Sequence, residues 1–238
     1  MRVGTKSVLF GAHQFLIHPW FVAAAWWRLY GFPWDPRLWV AFFVHDLGYL
    51  GKPNMDGPEG ERHVEFGARV MHWFDEVPDR TCRQCHGRVN YAIPDFTDAS
   101  GAVVSMGPCV EGRCGRCYVR QYWWRDMALY HSRFYAKRDG QPYSMLCVAD
   151  KLSIALTPHW LYLPMARATG EIREYMRLAE EGNGGKYATM QIRVGSERQW
   201  YADVQLYVLR WTAEHKLGKT DTWTPKVREA ETKSGVWK

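Results

Sequence analysis

The sequence lacks any apolar run of membrane-spanning length. Its best candidate, Val8 to Trp27, is interrupted by His13, Gln14, His18 and Pro19, which favours a buried helix. The opening residues lack the charged, apolar and small-residue succession of a cleavable leader, so a cytoplasmic chain with no membrane partner is expected. There is no internal repeat and no low-complexity segment, which argues against a solenoid or an extended tail protein. Charge of one sign is in only mild excess. A formal +6 over 238 residues falls short of the dense stripe of a DNA-coating protein, though it suits an anionic ligand such as a nucleotide. Cysteine is almost missing outside one stretch: five of the six lie between Cys82 and Cys117, and only Cys147 lies elsewhere. In a cytosolic chain such crowding points to metal before disulfides.

What the chain does have is helical periodicity and aromatic bulk, with 13 Trp. Leu9, Leu16, Phe21, Val22, Ala25 and Leu29 recur at helical spacing from about Thr5 to Tyr30, and Gly31-Phe32-Pro33 ends that stretch. Asp35-Pro36 predicts a helix start, with a central helix over Arg37 to about Leu47 that closes on His45-Asp46-Leu47-Gly48. Further helices are predicted over about Glu59–Phe74, Tyr122–Lys137, Pro142–Leu156, Thr169–Glu181 and Ser196–Lys216. Residues 1–76 and 119–217 thus form one all-α bundle, 77–118 a loop-rich cysteine insertion, and 218–238 a polar tail.

Six residues carry metal-ligand chemistry. His18, the pair His45-Asp46, His63, His131 and Asp150 each fall on a predicted helix or helix end, so a bundle can point them inward together. Their order and local wording, ending in Val-Ala-Asp-Lys-Leu, resemble the HD superfamily of metal-dependent phosphohydrolases over roughly Thr5 to Leu156. His13 is the rival for the first ligand, but the spacing from His18 to Val22 is closer to the family pattern. The resemblance implies that His18, His45, Asp46 and Asp150 hold one divalent cation. His63 and His131, with Asp46 as a bridge, would hold a second. The Gly-Tyr-Pro signature of the cyclic-dinucleotide branch is absent.

Imidazole and carboxylate donors suit manganese, iron, cobalt or zinc better than magnesium. A bound cation lowers the pKa of its water to about 7 in the best-known case, which supports in-line attack on phosphorus at neutral pH. The expected function is hydrolysis of a nucleotide phosphate ester or anhydride: a nucleoside mono- or triphosphate, a dinucleoside polyphosphate or an alarmone. Asp46, Lys52 and Glu61 are the catalytic candidates, with Glu59 as a second choice for proton transfer. Lys52, Arg62, Arg133, Lys137 and Lys151 are the phosphate-binding candidates. A mixed-valence di-iron oxygenase of the same superfamily is the alternative chemistry.

Cys82-x-x-Cys85 and Cys114-x-x-Cys117 are two pairs able to complete one tetrahedral structural zinc site, with His86 and Cys109 as alternative ligands. The insertion is basic, through Arg80, Arg83, Arg88, Arg113, Arg116 and Arg120, and separates the predicted helices of His63 and His131. It is therefore expected near the mouth of the site. A nucleic-acid-binding module built on the zinc segment is the third reading.

Overall fold

The computed structural model describes residues 2–55, 58–75, 96–97, 103–104, 122–181 and 192–216. The architecture is all-α, as the periodicity predicts. Helices α1 (Val3–Phe10), α2 (His18–Tyr30), α3 (Pro36–Val44), α4 (Pro58–Glu61) and α5 (Val64–Met71) precede the cysteine-bearing stretch. Helices α6 (Trp123–Leu129), α7 (Arg133–Arg138), α8 (Met145–Leu156), α9 (His159–Thr169), α10 (Glu171–Glu181) and α11 (Glu197–His215) follow it. Within that stretch two short strands, β1 (Phe96–Thr97) and β2 (Val103–Val104), pair antiparallel with Phe96 opposite Val104. The proposed zinc ligands Cys82, Cys85, Cys114 and Cys117, with His86 and Cys109, lie outside the described residues.

Local signals explain the helix boundaries. The Asp35 carboxylate accepts the Arg37 backbone N–H at 2.9 Å and Pro36 occupies the first turn, so α3 starts where the sequence predicts. Ser144 caps α8 by accepting the Cys147 N–H at 3.1 Å. Three predicted helices are interrupted: the first at residues 11–17, the third around Arg62-His63, and the fourth at Tyr130-His131-Ser132. At the last break Ser132 starts a new helix by accepting the N–H groups of Phe134 and Tyr135. Helix α9 was hidden in the sequence by Pro158 before it and Pro164 within it. Pro164 is tolerated on the exposed face, at the expense of one backbone hydrogen bond.

Helix α8 is the axis of the bundle, packed between α2 and α11. One core joins Val22, Ala25 and Trp26 of α2 to Leu38 and Phe42 of α3, Met71 of α5 and Leu146, Ala149 and Leu152 of α8. A second core gathers Tyr162, Leu163 and Ala166 of α9 with Ile172, Trp200 and Tyr201. The two are tied at the end of α8, where the Tyr201 hydroxyl donates to the carbonyls of Ile154 and Thr157, each at 2.7 Å. Together with the Gln205 amide, which donates to the carbonyls of Ala155 and Thr157, that contact satisfies the acceptors at the end of α8. No helix among the described residues is long and apolar enough to cross a membrane.

Candidate metal centre

All six predicted ligands converge in one buried cluster. His18 opens α2, His45 and Asp46 follow α3, His63 directly precedes α5, His131 sits in the break between α6 and α7, and Asp150 projects from the middle of α8. None is more than 7% exposed, which no polar group tolerates unless its charge and hydrogen-bonding capacity are met. Close backbone approach makes the cluster possible: a Cβ on Gly48 would land on the carbonyl oxygen of His63, so a larger residue there would push the two ligand segments apart.

The six divide into two groups that share Asp46, namely His18, His45, Asp46 and Asp150, and His63, His131 and Asp46, with donor atoms within 4.8 Å of one another in each. One oxygen of Asp46 serves each group. Its Oδ2 lies 3.4 Å from His18 Nε2 and 3.2 Å from His45 Nε2, and its Oδ1 lies 3.7 Å from His63 Nε2 and 3.6 Å from His131 Nε2. Asp150 Oδ1 completes the first group, 3.1 Å from His18 Nε2 and 3.8 Å from His45 Nε2.

The hydrogen bonds fix which ring nitrogens face inward. Nδ1 of His45, His63 and His131 donates to the carbonyls of Phe42, Gly60 and Ala128 at 2.9, 2.7 and 2.5 Å. A neutral imidazole so bonded turns a bare Nε2 lone pair to the centre. The Nε2 atoms of His63 and His131 then face each other at 3.0 Å, a repulsive arrangement unless positive charge lies between them. His45 Nε2 and Asp46 Oδ2 are buried with no hydrogen-bond partner among the described residues. Bare imidazole nitrogens, a shared carboxylate and orphaned acceptors make this buried cluster compatible with metal binding.

The electrostatics of the two groups differ. Burial disfavours charge on His45, yet the Asp46 and Asp150 carboxylates outweigh it and push the imidazole up to about 10. Burial alone would raise Asp46 and Asp150, but the charge of His45 and a hydrogen bond from His131 hold the Asp46 carboxyl well below the usual range, and the Lys151 cation with a hydrogen bond from His18 does the same for Asp150. Burial and the adjacent His131 instead hold His63 well below its ordinary value. Tyr49 stacks on His63, ring centroids 3.8 Å apart, and fixes the plane of that ring.

The candidate substrate residues scatter more widely. Lys151 donates to Asp150 Oδ2 at 3.0 Å, on the side of the carboxylate away from the histidines. Arg133 donates to the Tyr207 hydroxyl at 2.9 Å and lies over the Trp211 ring. Ser132, next to His131, donates to Glu61 at 2.6 Å, which brings Glu61 beside the second group. Arg62 is exposed and paired with Glu65 at 3.1 Å, and Glu65 also accepts from Tyr135. Lys52 sits on the loop after Asp46, where its carbonyl accepts from Gly4, and no ion pair joins it to the cluster. Glu59 is exposed on α4, and Lys137 lies in the last turn of α7. His13 borders the first group without joining it: it shares a cleft with His18, His45 and Asp46 and approaches Glu171, a buried residue that sequence reasoning did not single out. No protein-family model, no curated protein and no solved structure matches this chain.

Proposed function

We propose that this chain is a metal-dependent phosphohydrolase acting on a nucleotide phosphate ester or anhydride. The observation that carries the reading is the division of Asp46, one oxygen turned to each of two histidine groups. This layout supports a pair of cations bridged by one carboxylate, and it agrees with the resemblance to the two-metal branch of the HD superfamily. Two divalent cations, when bound, supply Lewis acidity and an activated water.

The chain's own residues supply the rest. His18, His45 and Asp150 hold the first position and His63 and His131 the second, with Nδ1 of three of these rings locked by backbone carbonyls. Lys151 and Arg133 are the cations we assign to the substrate's phosphoryl oxygens, because Lys151 is bonded to Asp150 of the cluster and Arg133 lies within electrostatic reach of Lys151. Arg62 is the weaker candidate, since Glu65 already neutralises it. Glu61, bonded to Ser132, is the group we assign to proton exchange beside the second position. We further propose that Cys82, Cys85, Cys114 and Cys117 hold one structural zinc. Replacing Cys82 and Cys85 by Ser should release one zinc per chain, measured by elemental analysis.

The direct test is a phosphate-release screen over nucleotides with manganese, iron, cobalt and magnesium in turn, run on the wild type and on Asp46→Ala. Metal-stimulated release that disappears in the variant supports the proposal. Turnover that requires oxygen and releases no phosphate would replace it with the di-iron oxygenase reading.

A further inference from the structure

The four ligand histidines are not held alike. Three have Nδ1 fixed by the carbonyl three residues earlier, whereas no hydrogen bond to the Nδ1 of His18 occurs among the described residues. A ligating histidine ordinarily donates its outer N–H to a carbonyl, a carboxylate or water, and that partner sets the ring's orientation. His13 packs against His18, with ring centroids 5.5 Å apart and planes inclined by 58°. Two imidazoles joined by a nitrogen-to-nitrogen hydrogen bond of about 3 Å have centroids roughly 5 Å apart, so the two rings stand close to bonding separation.

His13 is itself anchored. Its Nδ1 lies 3.1 Å from the Ser7 hydroxyl and 3.6 Å from Glu171 Oε2. Glu171 is fully buried, accepts the Thr169 hydroxyl at 2.6 Å through Oε1, and leaves Oε2 without a hydrogen-bond partner. A carboxylate buried this deeply needs a reason, because its desolvation is repaid only by a charged or donating neighbour. Gly11 makes room for it: a Cβ there would collide with the Glu171 carboxylate.

We infer that Glu171 and His13 are positioning residues for the ligand His18, forming an outer chain Glu171–His13–His18 that does for this histidine what a backbone carbonyl does for the other three. His13 Nδ1–H faces Glu171, and with the site loaded His13 Nε2 would accept from His18 Nδ1–H, aiming His18 Nε2 between Asp46 and Asp150. The chain also gives the second helical lobe a part in the site, since Glu171 opens α10 at the edge of the second core.

The inference rests on the two-metal reading proposed above, and stepwise loading of the metal-free protein with cobalt(II), followed by absorbance and calorimetry, separates the two. Glu171→Gln keeps volume and, with its amide oxygen on Thr169, removes the charge and sets an NH2 donor where Oε2 faces His13. His13→Phe keeps a ring against His18 and removes both nitrogens. Each is expected to weaken cobalt binding at the His18 position 10- to 100-fold, the usual worth of an outer partner, with the His63–His131 position within about twofold of wild type. If Glu171→Gln does not fold, as read by circular dichroism, His13→Phe decides. Wild-type affinity at both positions in the folded variant overturns the inference alone, as does equal weakening of both, which would mark the pair as mere support of the fold. Failure of the wild type to bind cobalt at all overturns the two-metal reading and the inference with it.

Discussion

The two halves of the candidate metal centre share one carboxylate and differ in charge and in how their side chains are held. The first group is built from α2, α8 and the end of α3, carries two carboxylates, and holds one histidine, His45, whose affinity for protons is raised beside another, His18, in which burial lowers it. The second is built from two helix breaks, relies on two imidazoles locked by backbone carbonyls, and contains a histidine whose proton affinity is lowered. Excess negative charge makes the first position the stronger attractor of a cation, and also the one where protons compete hardest. The second is prearranged by its backbone and asks for a donor-poor, lone-pair-accepting ion. A pair of sites so different should be separable by mutation.

The largest effect should come from the residue the halves share. Asp46→Ala is expected to remove both cations and reduce phosphate release to background, read by elemental analysis and the nucleotide assay. Retention of one cation would mean that the bridge is dispensable to one half. Next, Asp150→Asn should strip the first position and leave the second, while His131→Leu should do the reverse. Each should cost more than the 10- to 100-fold typical of an outer partner, because a direct ligand is lost. Simultaneous loss of both positions in either variant would show that the halves cannot fill independently.

Proton competition sharpens the contrast without any mutation. His45 must lose its proton before a cation binds the first group, and its imidazole is pushed up to about 10. Affinity there should therefore rise about tenfold per pH unit through the neutral range, one proton being released per cation bound. His63, held well below its ordinary 6.5, has no proton to give up above that value. Loading of the second group should accordingly be much flatter between pH 6.5 and 8. Parallel pH slopes for the two binding steps, measured by calorimetry in buffers of different ionisation enthalpy, would contradict this account.

How much of this was legible in the sequence follows from the same contrast. The membership of the buried cluster was readable because His-Asp at a helix end, together with His18, His63, His131 and Asp150 in order, is a pattern of residue types. The joints were not. Glu59–Phe74 and Tyr122–Lys137 read as continuous helices by apolar spacing, yet each breaks at its ligand histidine, because the ring must turn inward while Nδ1 reaches back to a carbonyl. Ser132, a capping residue in mid-pattern, was the one local sign of such a break. Glu171 was invisible for a different reason. An acidic residue at a helix start is ordinary, and only tertiary packing brings it against His13. The roles of Lys52 and Arg62 were suggested by proximity in sequence, whereas the fold gives Arg62 to Glu65 and leaves Lys52 with no ion pair to the cluster.

The smallest effect belongs to the far end of the molecule, where charge is paired near solvent instead of buried for binding. Arg193 donates to both oxygens of Asp203, at 3.0 and 2.9 Å, and its backbone N–H adds a third bond at 2.9 Å. The guanidinium, chiefly through these side-chain hydrogen bonds, lowers the Asp203 carboxyl from 3.8 to about 2. A carboxyl depressed on folding contributes stability above its unfolded value, and that contribution is lost as pH falls from about 4 toward about 2. Arg193 is largely exposed, so solvent screening keeps the gain small. Arg193→Ala should therefore cost only a small part of the stability at neutral pH, read from urea unfolding of the metal-free protein. The difference from wild type should shrink toward zero below pH 4. A penalty equal to that of removing Asp46 would mean that surface pairing, and not the buried centre, dominates the electrostatic stability of this fold.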